Sequence, residues 1–558
     1  MKRFLVPYIM VVLFLPLLLM STAAQDDSTL VGAFASDVQT FNSLLWGDST
    51  SATVAGYLWP QLFQKDPITG ATLPALASWE ISEDGLTYTF TLQEGVMWSD
   101  GAPLTANDVK FTMEALKSEN VQSSQAGQVA AVESITVVDD TTLEVTLTAI
   151  DCTFLDGFTL GILPAHRFAE DYSDFMDNEL NRNPDISGGP WILTERAADE
   201  FLVFEANPNY WRGQPQIQNL ILRIIPEATV RQQALLTGEI DWVSIASDEA
   251  AEYAGEGFNI VVLQIQRLAV LAMNIADPSN PQNAYDAEGN PIDQGHHPIF
   301  GDVRVRQAVA MGYDKDAIVA SGPEGTARIV GPVAPVVTWA YNDEVTPFAY
   351  DPDAANAMLE EAGWVDADGD GVRECQGCLY AEEGAPLSFT LFQTPTGGAL
   401  ADTSALVIQD QLRALGMEVN LETKEFGAVF QDDILAQTFD AFITPLGWGN
   451  SDPHTLTNVM LNSSIDAVGA PLNFVSYSNP EVDALIEQAR TVPGCGIEER
   501  GDIYKEIQRI AYEDVAFDWV WTEIAGSYVA FNPRIQNVNP YDQPVWALAP
   551  INEWTLSN

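Results

Sequence analysis

The early part of the chain contains several short stretches in which polar and apolar residues alternate. The alternation is clearest from Thr87 to Leu92, between the turn sequences Glu83-Asp84-Gly85 and Ser99-Asp100-Gly101. A period of two places apolar side chains on one face of a β-strand, and Asp-Gly pairs favour tight turns. Similar strand patterns occur at residues 134–138 and 142–148. We therefore predict a hairpin-rich region in this part of the chain.

Helix-start signals are found both inside this region and after it. Thr105 and Asp108 have the spacing of a capping box. Asp302, Asp351-Pro352 and Asn479-Pro480 each place a capping side chain, in two cases followed by proline, where a helix can begin. Beyond residue 300, such helices alternate with apolar strands. This pattern predicts an α/β arrangement for the second half of the sequence.

Two more helices are predicted from apolar periodicity and from the glycines that follow them. The first runs from Glu227 to Leu236 and should place Val230, Ala234 and Leu235 on one face. The second runs from Ser404 to Leu415. A glycine shortly after each segment fits the end of a helix.

Several segments, in the same order along the chain, resemble those of the family 5 extracellular solute-binding proteins. They are Leu76–Phe111, Ser187–Leu193, Asn207–Trp211 and Ala234–Asp241. The family comprises peptide-, nickel- and oligosaccharide-binding receptors that serve ABC importers. The resemblance implies an α/β fold of the periplasmic-binding-protein type (type II, cluster C). In that fold two lobes are joined by a two-strand hinge, and an extra hairpin-rich domain packs outside.

The resemblance also divides the chain into domains. Residues 1–24 would be a signal peptide, and lobe I would be discontinuous. The implied boundaries are 25–70, 187–272 and 527–558 for lobe I, 71–186 for the hairpin-rich domain, and 273–526 for lobe II. The strands Leu268–Asn274 and Ser527–Phe531 would cross between the lobes, and the ligand would lie between them.

The function implied by the resemblance is capture of a peptide or similar small polar solute, followed by delivery to an ABC importer. The partners would be the ligand and the permease and ATPase subunits, and the receptor would act as a monomer. It would be secreted or periplasmic, at the outer face of the cytoplasmic membrane, with membrane contact only through the permease. No cofactor is required. Two alternatives are an oligosaccharide receptor of the same family and a sensory binding protein without a transport role.

An enzyme is a further alternative that the sequence disfavours. It contains neither a Gly-x-Ser-x-Gly elbow nor a His-Glu-x-x-His motif, and it has only four histidines. Acidic residues are numerous, so composition does not exclude a glycosidase that uses paired carboxylates.

The candidate ligand-binding residues are Trp448, Asn450, Asp452, Trp339 and Phe34. The segment Trp448–Pro453 resembles one in which an aspartate of peptide-binding members pairs with the α-amino group of the ligand. Here the segment is shorter and the earlier aspartate is missing. Asp452 could instead cap the turn before Pro453. Trp339, Trp448 and Phe34 would provide aromatic surface in the cleft, and core packing is the alternative for each.

A second candidate site is an acidic loop whose spacing matches the first half of a calcium-binding loop. Asp366, Asp368 and Asp370 alternate, Gly371 is sixth, and the remaining oxygens would come from the Val372 carbonyl and Glu374. The twelfth position is glycine, so the usual bidentate glutamate is absent. The two interpretations are a structural Ca²⁺ site and an acidic surface turn.

The N-terminus and the net charge indicate where the protein acts. Lys2 and Arg3 precede an apolar run from Phe4 to Met20, followed by small residues, as in a secretory signal peptide. An uncleaved anchor is the alternative. The net charge of −55 argues against nucleic acid and against anionic membrane surfaces. It fits a saline habitat or simply a very soluble secreted protein.

The four cysteines, Cys152, Cys375, Cys378 and Cys495, suggest disulfides in an exported chain. Pairing within Cys375-x-x-Cys378 would leave Cys152 with Cys495, but three connectivities are open. Redox and zinc functions for the Cys-x-x-Cys pair have weaker support, because neither the flanking elements nor further ligands match those sites.

Overall fold

A computed structural model describes residues 28–68, 71–123, 125–157, 160–246, 249–323, 325–333, 335, 337–394, 398–448, 452–470, 473–540, 548 and 551–557. The predicted signal peptide lies outside the described residues. The strands are β1 (Thr29–Phe34), β2 (Phe63–Lys65), β3 (Thr72–Pro74), β4 (Ala77–Ile81), β5 (Thr87–Leu92), β6 (Val132–Val137), β7 (Thr142–Leu147), β8 (Trp191–Ala197), β9 (Phe201–Ala206), β10 (Asn219–Ile224), β11 (Trp242–Ile245), β12 (Asn259–Met273), β13 (Thr326–Ala327), β14 (Trp364–Val365), β15 (Glu374–Cys375), β16 (Ser388–Gln393), β17 (Glu418–Thr423), β18 (Ala441–Trp448), β19 (Asp518–Phe531), β20 (Ile535–Gln536) and β21 (Thr555–Leu556). The helices are α1 (Ser49–Leu58), α2 (Ala106–Ala115), α3 (Phe154–Gly157), α4 (Ala228–Leu236), α5 (Ala250–Gly255), α6 (Val303–Met311), α7 (Lys315–Ala320), α8 (Pro352–Glu361), α9 (Ala399–Ala414), α10 (Phe426–Val429), α11 (Pro453–Leu461), α12 (Pro480–Arg490) and α13 (Ile497–Glu513).

Two four-stranded sheets form the first part of the molecule. One has the order β1-β10-β9-β8, with β1 parallel to β10 and the other neighbours antiparallel. The other has the order β4-β5-β7-β6 and is antiparallel throughout. The second sheet confirms the predicted hairpins.

These two sheets share one hydrophobic core. Alternate residues of β5, Tyr88, Phe90 and Leu92, are buried there, as the period of two predicts. The same core includes Leu30 of the first sheet and Phe531 at the end of β19. We refer to residues 28–263 and 527–557 as the β-rich half. The core thus spans predicted lobe I and the predicted hairpin-rich domain, whose separation stays a prediction.

The other half is built around a mixed seven-stranded sheet. Its order is β11-β19-β12-β18-β16-β17, with β13 paired to β19. Apolar side chains cover both faces. One face packs against α6, α8 and α9, and the other packs against α11, α12 and α13. We refer to residues 267–523 as the α/β half. This architecture confirms the predicted fold class.

Two long strands run from one half to the other. β12 and β19 are antiparallel neighbours, and both are longer than predicted. At one end β19 pairs with β11 of the β-rich half, whereas at the other end β12 pairs with β18 of the α/β half. Their pairing shifts register between Leu263 and Arg267, where the strands pass between the halves.

The predicted helix starts are well reproduced because capping depends on neighbouring residues. Thr105 and Asp108 form the expected capping box at α2. Asp302, Asp351 and Asn479 accept hydrogen bonds from backbone N–H groups in the first turns of α6, α8 and α12.

Of the three residues predicted to share one face of α4, Val230 is 52% exposed, whereas Ala234 and Leu235 are buried. Two details of the predicted helices were wrong or missing. Helix α9 begins at Ala399, five residues before the predicted start at Ser404. Helix α1 was not predicted, since its sequence is rich in serine, threonine and glycine, which are weak helix formers.

The cysteines form two disulfides, Cys152–Cys495 and Cys375–Cys378. This resolves the three open connectivities and leaves none of the four thiols free. None of the described helices combines the length and apolar composition needed to span a bilayer.

Candidate ligand-binding site

The segment that carries three of the predicted ligand-binding residues joins the end of β18 to the start of α11. Trp448 ends β18, and its backbone lies opposite Gln266 of β12, at the passage between the halves. Asn450 lies outside the described residues. Asp452 is the N-cap of α11 and accepts a hydrogen bond of 2.8 Å from the His454 N–H. The sequence-based alternative of a capping role for Asp452 is therefore confirmed.

The carboxylate of Asp452 forms a buried, two-point ion pair with Arg500 of α13. Nη1 of Arg500 lies 2.9 Å from Oδ2 of Asp452, and Nη2 donates to Oδ1 at 3.1 Å. Both side chains are only 5% exposed. A bidentate arginine–carboxylate pair is geometrically specific, and it is costly to break once it is buried. The pair therefore fixes the end of the 448–452 segment against α13.

Further contacts hold the Arg500 guanidinium in place. Its Nε donates to the Ala489 carbonyl at 3.0 Å, and Nη2 donates to the Tyr504 hydroxyl at 3.3 Å. Burial opposes the charge, but the combined attraction and hydrogen bonds of Asp452 and Tyr504 outweigh it, so the pKa of Arg500 is raised above its usual value. Arg500 is therefore a permanent buried cation at this position.

Trp339 lies beside this ion pair. The Arg500 guanidinium carbon is 5.5 Å from the centroid of the indole ring, within the range of a cation–π contact. The ring of Tyr504 meets Trp339 edge to face at 6.0 Å. Trp339 is partly buried. Two predicted site residues, Trp339 and Asp452, are thus brought together by Arg500, which was not predicted.

His454, two positions after Asp452, is a further titratable residue close to this ion pair in sequence. It is 9% exposed, and its Nδ1 atom has no hydrogen-bond partner among the described residues. Burial lowers its pKa to about 4, with Arg500 and Arg490 acting in the same direction and Asp151 opposing them. The imidazole is therefore neutral at neutral pH.

Phe34 belongs to the other half of the molecule. It ends β1, where its carbonyl accepts a hydrogen bond of 2.8 Å from the Ile225 N–H. Its side chain is partly buried against the core of the β-rich half. Phe34 and Trp339 therefore lie on opposite halves. Ligand contact by Phe34, Trp339, Trp448, Asn450 and Asp452 stays a prediction.

An ion pair that the sequence did not suggest lies beside the crossing strands. Nη1 of Arg267 on β12 is 3.5 Å from Oε2 of Glu523 on β19. The Glu523 side chain is 10% exposed, and burial raises its pKa while Arg267 lowers it. This ion pair lies next to the register shift between β12 and β19. A rotation of one half against the other at that point would therefore also move the ion pair.

The acidic loop closes the ribbon formed by β14 and β15. Oxygen atoms of Asp366, Asp368, Asp370 and Glu374 lie within 4.8 Å of one another. Gly371 has a φ of 95°, the sharp turn that the sixth position of a calcium loop requires. The three aspartates and Glu374 also accept backbone hydrogen bonds within the loop, one of them from the Val372 N–H. Calcium binding here, including the use of the Val372 carbonyl, stays a prediction.

Sequence reasoning missed Arg500 and Tyr504, although α13 carries a signal for both. Arg500 and Tyr504 are four residues apart, and the helical spacing continues to Ile507 and Ala511. These residues are buried on one face of the helix. An arginine on an otherwise apolar face requires a buried partner. That partner, Asp452, is 48 residues away in sequence, so spacing alone did not identify it.

The geometry described so far defines a class of protein. Two halves of different build are joined by a pair of long antiparallel strands, and an ion pair with a tryptophan beside it holds the start of α11 in the α/β half. This is the organisation of a two-lobed binding protein, in which domain rotation opens and closes a ligand site.

Comparison with known proteins identifies the family. The sequence model described as "Bacterial extracellular solute-binding proteins, family 5 Middle" matches residues 72–467, more than half of the chain. The protein therefore belongs to the family 5 bacterial extracellular solute-binding proteins, which confirms the resemblance seen in the sequence.

Two relatives and one solved structure illustrate the range of the family. The oligopeptide-binding protein AppA of Bacillus subtilis (strain 168) is 28% identical over 505 residues, covering 89% of this chain and 86% of that protein. The heme-binding protein A of Haemophilus influenzae is 27% identical over 502 residues, covering 84% and 81%. The structure of Bacillus subtilis AppA in complex with a nonapeptide has a TM-score of 0.67 and 25% sequence identity, covering 95% of this chain and 99% of that one.

Proposed function

We propose that this protein is the secreted substrate-binding component of an ABC importer, and that it captures a peptide or similar small polar solute between its halves. The observation that carries the proposal is the family match across residues 72–467, together with AppA as a relative along most of the chain. The protein would act as a monomer outside the cytoplasmic membrane. It would deliver its ligand to separate permease and ATPase subunits.

The two-half architecture supports a mechanism based on closure. A ligand that contacts both halves stabilises the closed form, because those contacts are complete only when the halves meet. Affinity then measures the difference between contacts in the closed and open forms. A micromolar Kd corresponds to about 8 kcal/mol of net binding free energy. The ligand leaves unchanged, so no catalytic group is required.

The site favours a ligand with both apolar and polar parts. Trp339, which is only partly buried, offers aromatic surface, and the fully buried ring of Tyr504 supports it from behind. The Asp452 carboxylate is already neutralised by Arg500, so a ligand ammonium group would have to compete with a buried bidentate pair. We therefore expect side-chain packing and hydrogen bonds, more than a free carboxylate at Asp452, to select the ligand.

Native mass spectrometry of gently purified protein tests the proposal directly. We expect a co-purified mass that is identified as peptide by fragmentation. Defined peptides of two to nine residues would then be screened by thermal shift against an oligosaccharide set of similar size. Stabilisation by sugars and never by peptides would show the substrate class to be wrong. Chemical change of the bound compounds would favour an enzyme.

A pair of tryptophan variants locates the site. Trp339→Ala should weaken the affinity of the best peptide about tenfold, the upper range of a single aromatic contact. Trp211→Ala is the matched control, since Trp211 is also partly buried, meets a tyrosine edge to face at 6.0 Å and carries an arginine 4.5 Å from its ring centroid. Trp211 belongs to the β-rich half. Equal effects of the two substitutions would remove Trp339 from the site.

A further inference from the structure

The Cys152–Cys495 disulfide connects the two halves. The paired residues are 343 positions apart in sequence, one in the β-rich half and the other in the α/β half. Their Cα atoms are 5.2 Å apart, so the halves are in direct contact there. The chain itself passes between the halves in the crossing strands, β12 and β19. The disulfide is thus a third covalent connection.

On the side of the β-rich half, the disulfide is fixed to the hydrophobic core. Cys152 is two residues before Phe154, which is 4% exposed and packs against Tyr88 at a ring-centroid distance of 5.1 Å. The Tyr88 hydroxyl also donates to the Asp151 carbonyl at 3.4 Å. Movement of Cys152 is therefore coupled to movement of the hairpin sheet.

On the side of the α/β half, polar contacts surround the disulfide. The Cys152 N–H donates to the Arg490 carbonyl at 2.8 Å, at the end of α12. Nη1 of Arg490 lies 3.5 Å from Oδ2 of Asp151. Cys495 itself lies between α12 and α13. The contact is therefore a small interface between the halves, with the disulfide at its centre.

The two described ends of the predicted ligand segment are linked to the disulfide and to the crossing strands, respectively. Helix α13 starts two residues after Cys495, and the chain returns through β19 to the crossing. Asp452, at one end of the ligand segment, pairs with Arg500 in the first turn of α13. Trp448, at the other end, lies opposite Gln266 at the crossing. Each described end of the segment is therefore connected to one of the two links between the halves.

We propose that the Cys152–Cys495 disulfide is a strap that limits how far the halves can separate around the ligand segment. The inference rests on the proposed function in one respect only, namely that the ligand enters through the opening between the halves. Two crossing strands alone permit rotation in several directions. When the disulfide also joins the halves, the crossing strands and the disulfide define an axis. Rotation about that axis is then the main motion by which the halves can open. Without the strap, the ligand-free ensemble is broader and contains less of the closed form, which lowers apparent affinity.

Single-molecule FRET on the ligand-free protein measures the opening. Fluorophores would be attached to ketone-bearing residues that replace Val138 and Leu406, which are 56% and 57% exposed and lie on different halves. The label sites avoid cysteine chemistry. In the double variant C152S/C495S, we expect a longer mean distance and a broader distribution. In C375S/C378S, which removes the other disulfide, we expect the wild-type distribution.

A second measurement covers the case in which the double serine variant does not fold. Dithiothreitol is added to folded, labelled C375S/C378S protein, where the strap is the only disulfide that sequence and structure leave. The reagent converts the cystine to two thiols and is itself oxidised to its cyclic disulfide. We expect the distance to lengthen as alkylation and mass spectrometry show reduction of Cys152 and Cys495.

An unchanged distribution after complete reduction would overturn the strap. Because both measurements use ligand-free protein, they do not depend on peptide binding. Failure of the peptide screen would therefore leave the strap intact, and an unchanged distance would leave the proposed function intact.

Discussion

The crossing strands and the strap join the same two halves by different means. The crossing is secured at both ends by buried ion pairs set back from the register shift. Asp241, with no exposed surface, accepts from Arg534 at 2.6 Å beside the end of β19 in the β-rich half. Asp518, at the other end of β19, pairs with Lys315 at 3.2 Å.

The strap does not depend on a buried ion pair. Its ion pair, Asp151 with Arg490, is 3.5 Å long and partly exposed, at 16% and 28% of the two side chains. Its strength comes from a covalent bond. The difference suggests that the two connections have different roles. The ion pairs of the crossing hold the strand ends rigidly, and the part of the strands between those ends allows the halves to rotate. The strap sets a limit on distance. Substitutions that separate these two kinds of connection test the comparison.

The largest effect is expected at the α/β end of the crossing. Asp518→Asn leaves the Lys315 ammonium buried without its carboxylate partner, since both side chains are 3% exposed. Breaking a buried pair in this way typically costs about 3–5 kcal/mol of unfolding free energy. Urea denaturation measures the loss. The control K315M/D518L removes both charges and should be much less destabilising. If both variants lost the same unfolding free energy, the unpaired charge of Lys315 would not be the cause of the destabilisation.

The next effect is expected at the ligand segment. Asp452→Asn should cost about 3 kcal/mol, because Arg500 stays buried but keeps its bonds to Ala489 and Tyr504. The control is Asp302→Asn, another N-cap aspartate paired with an arginine, Arg304, that is 31% exposed. It should cost less than about 1 kcal/mol, because asparagine also caps a helix and the lost ion pair is partly exposed. If Asp452→Asn weakened peptide binding strongly at little cost in stability, Asp452 would be a ligand residue and not a brace.

A pH titration tests the neutral state of His454. Its pKa of about 4 in the folded protein is below the ordinary 6.5, so the unfolded chain binds the proton first as pH falls. Stability is therefore complete above pH 6.5 and is lost progressively down to pH 4. Between pH 7 and 5 the loss should be about 2 kcal/mol.

His454→Gln should remove this part of the pH dependence, whereas His166→Gln should not, because His166 is 37% exposed. The difference between variant and wild type isolates His454 from the carboxylates that titrate in the same range. An identical pH profile for His454→Gln and wild type would contradict the assignment.

The smallest effect is expected at the strap itself. Asp151→Asn removes a partly exposed ion pair and should change the unfolding free energy by less than about 1 kcal/mol. With the disulfide intact, the FRET distance should stay at the wild-type value. A lengthened distance in this variant would mean that the ion pair, and not the sulfur bond, holds the halves together.

Local features of this fold could be predicted from sequence, and long-range ones could not. The caps at Asp302, Asp351 and Asn479 depend on residues within one turn, so their spacing was sufficient. The crossing strands were predicted too short. β12 contains Gln264, Gln266 and Arg267, and these polar residues interrupt the apolar pattern where the strand leaves one half.

The site shows the same division. Trp339 and Asp452 were selected from sequence, but the residue that joins them, Arg500, was not. Its partner is fixed by the packing of α11 against α13 and not by any local motif. In the same way, the pairing of Cys152 with Cys495 was only one of three connectivities until the two halves were placed side by side.

The position of Cys495 also has a consequence for biogenesis. A chain that is synthesised and exported from its N-terminus presents Cys152 long before residue 495 of 558 becomes available. In the exported receptor proposed above, residues 28–263 would emerge with the Cys152 thiol unpaired, and this bond could close only after residue 495 had crossed the membrane. Oxidation at that point would mark the last stage of maturation, when the receptor first acquires its restrained form.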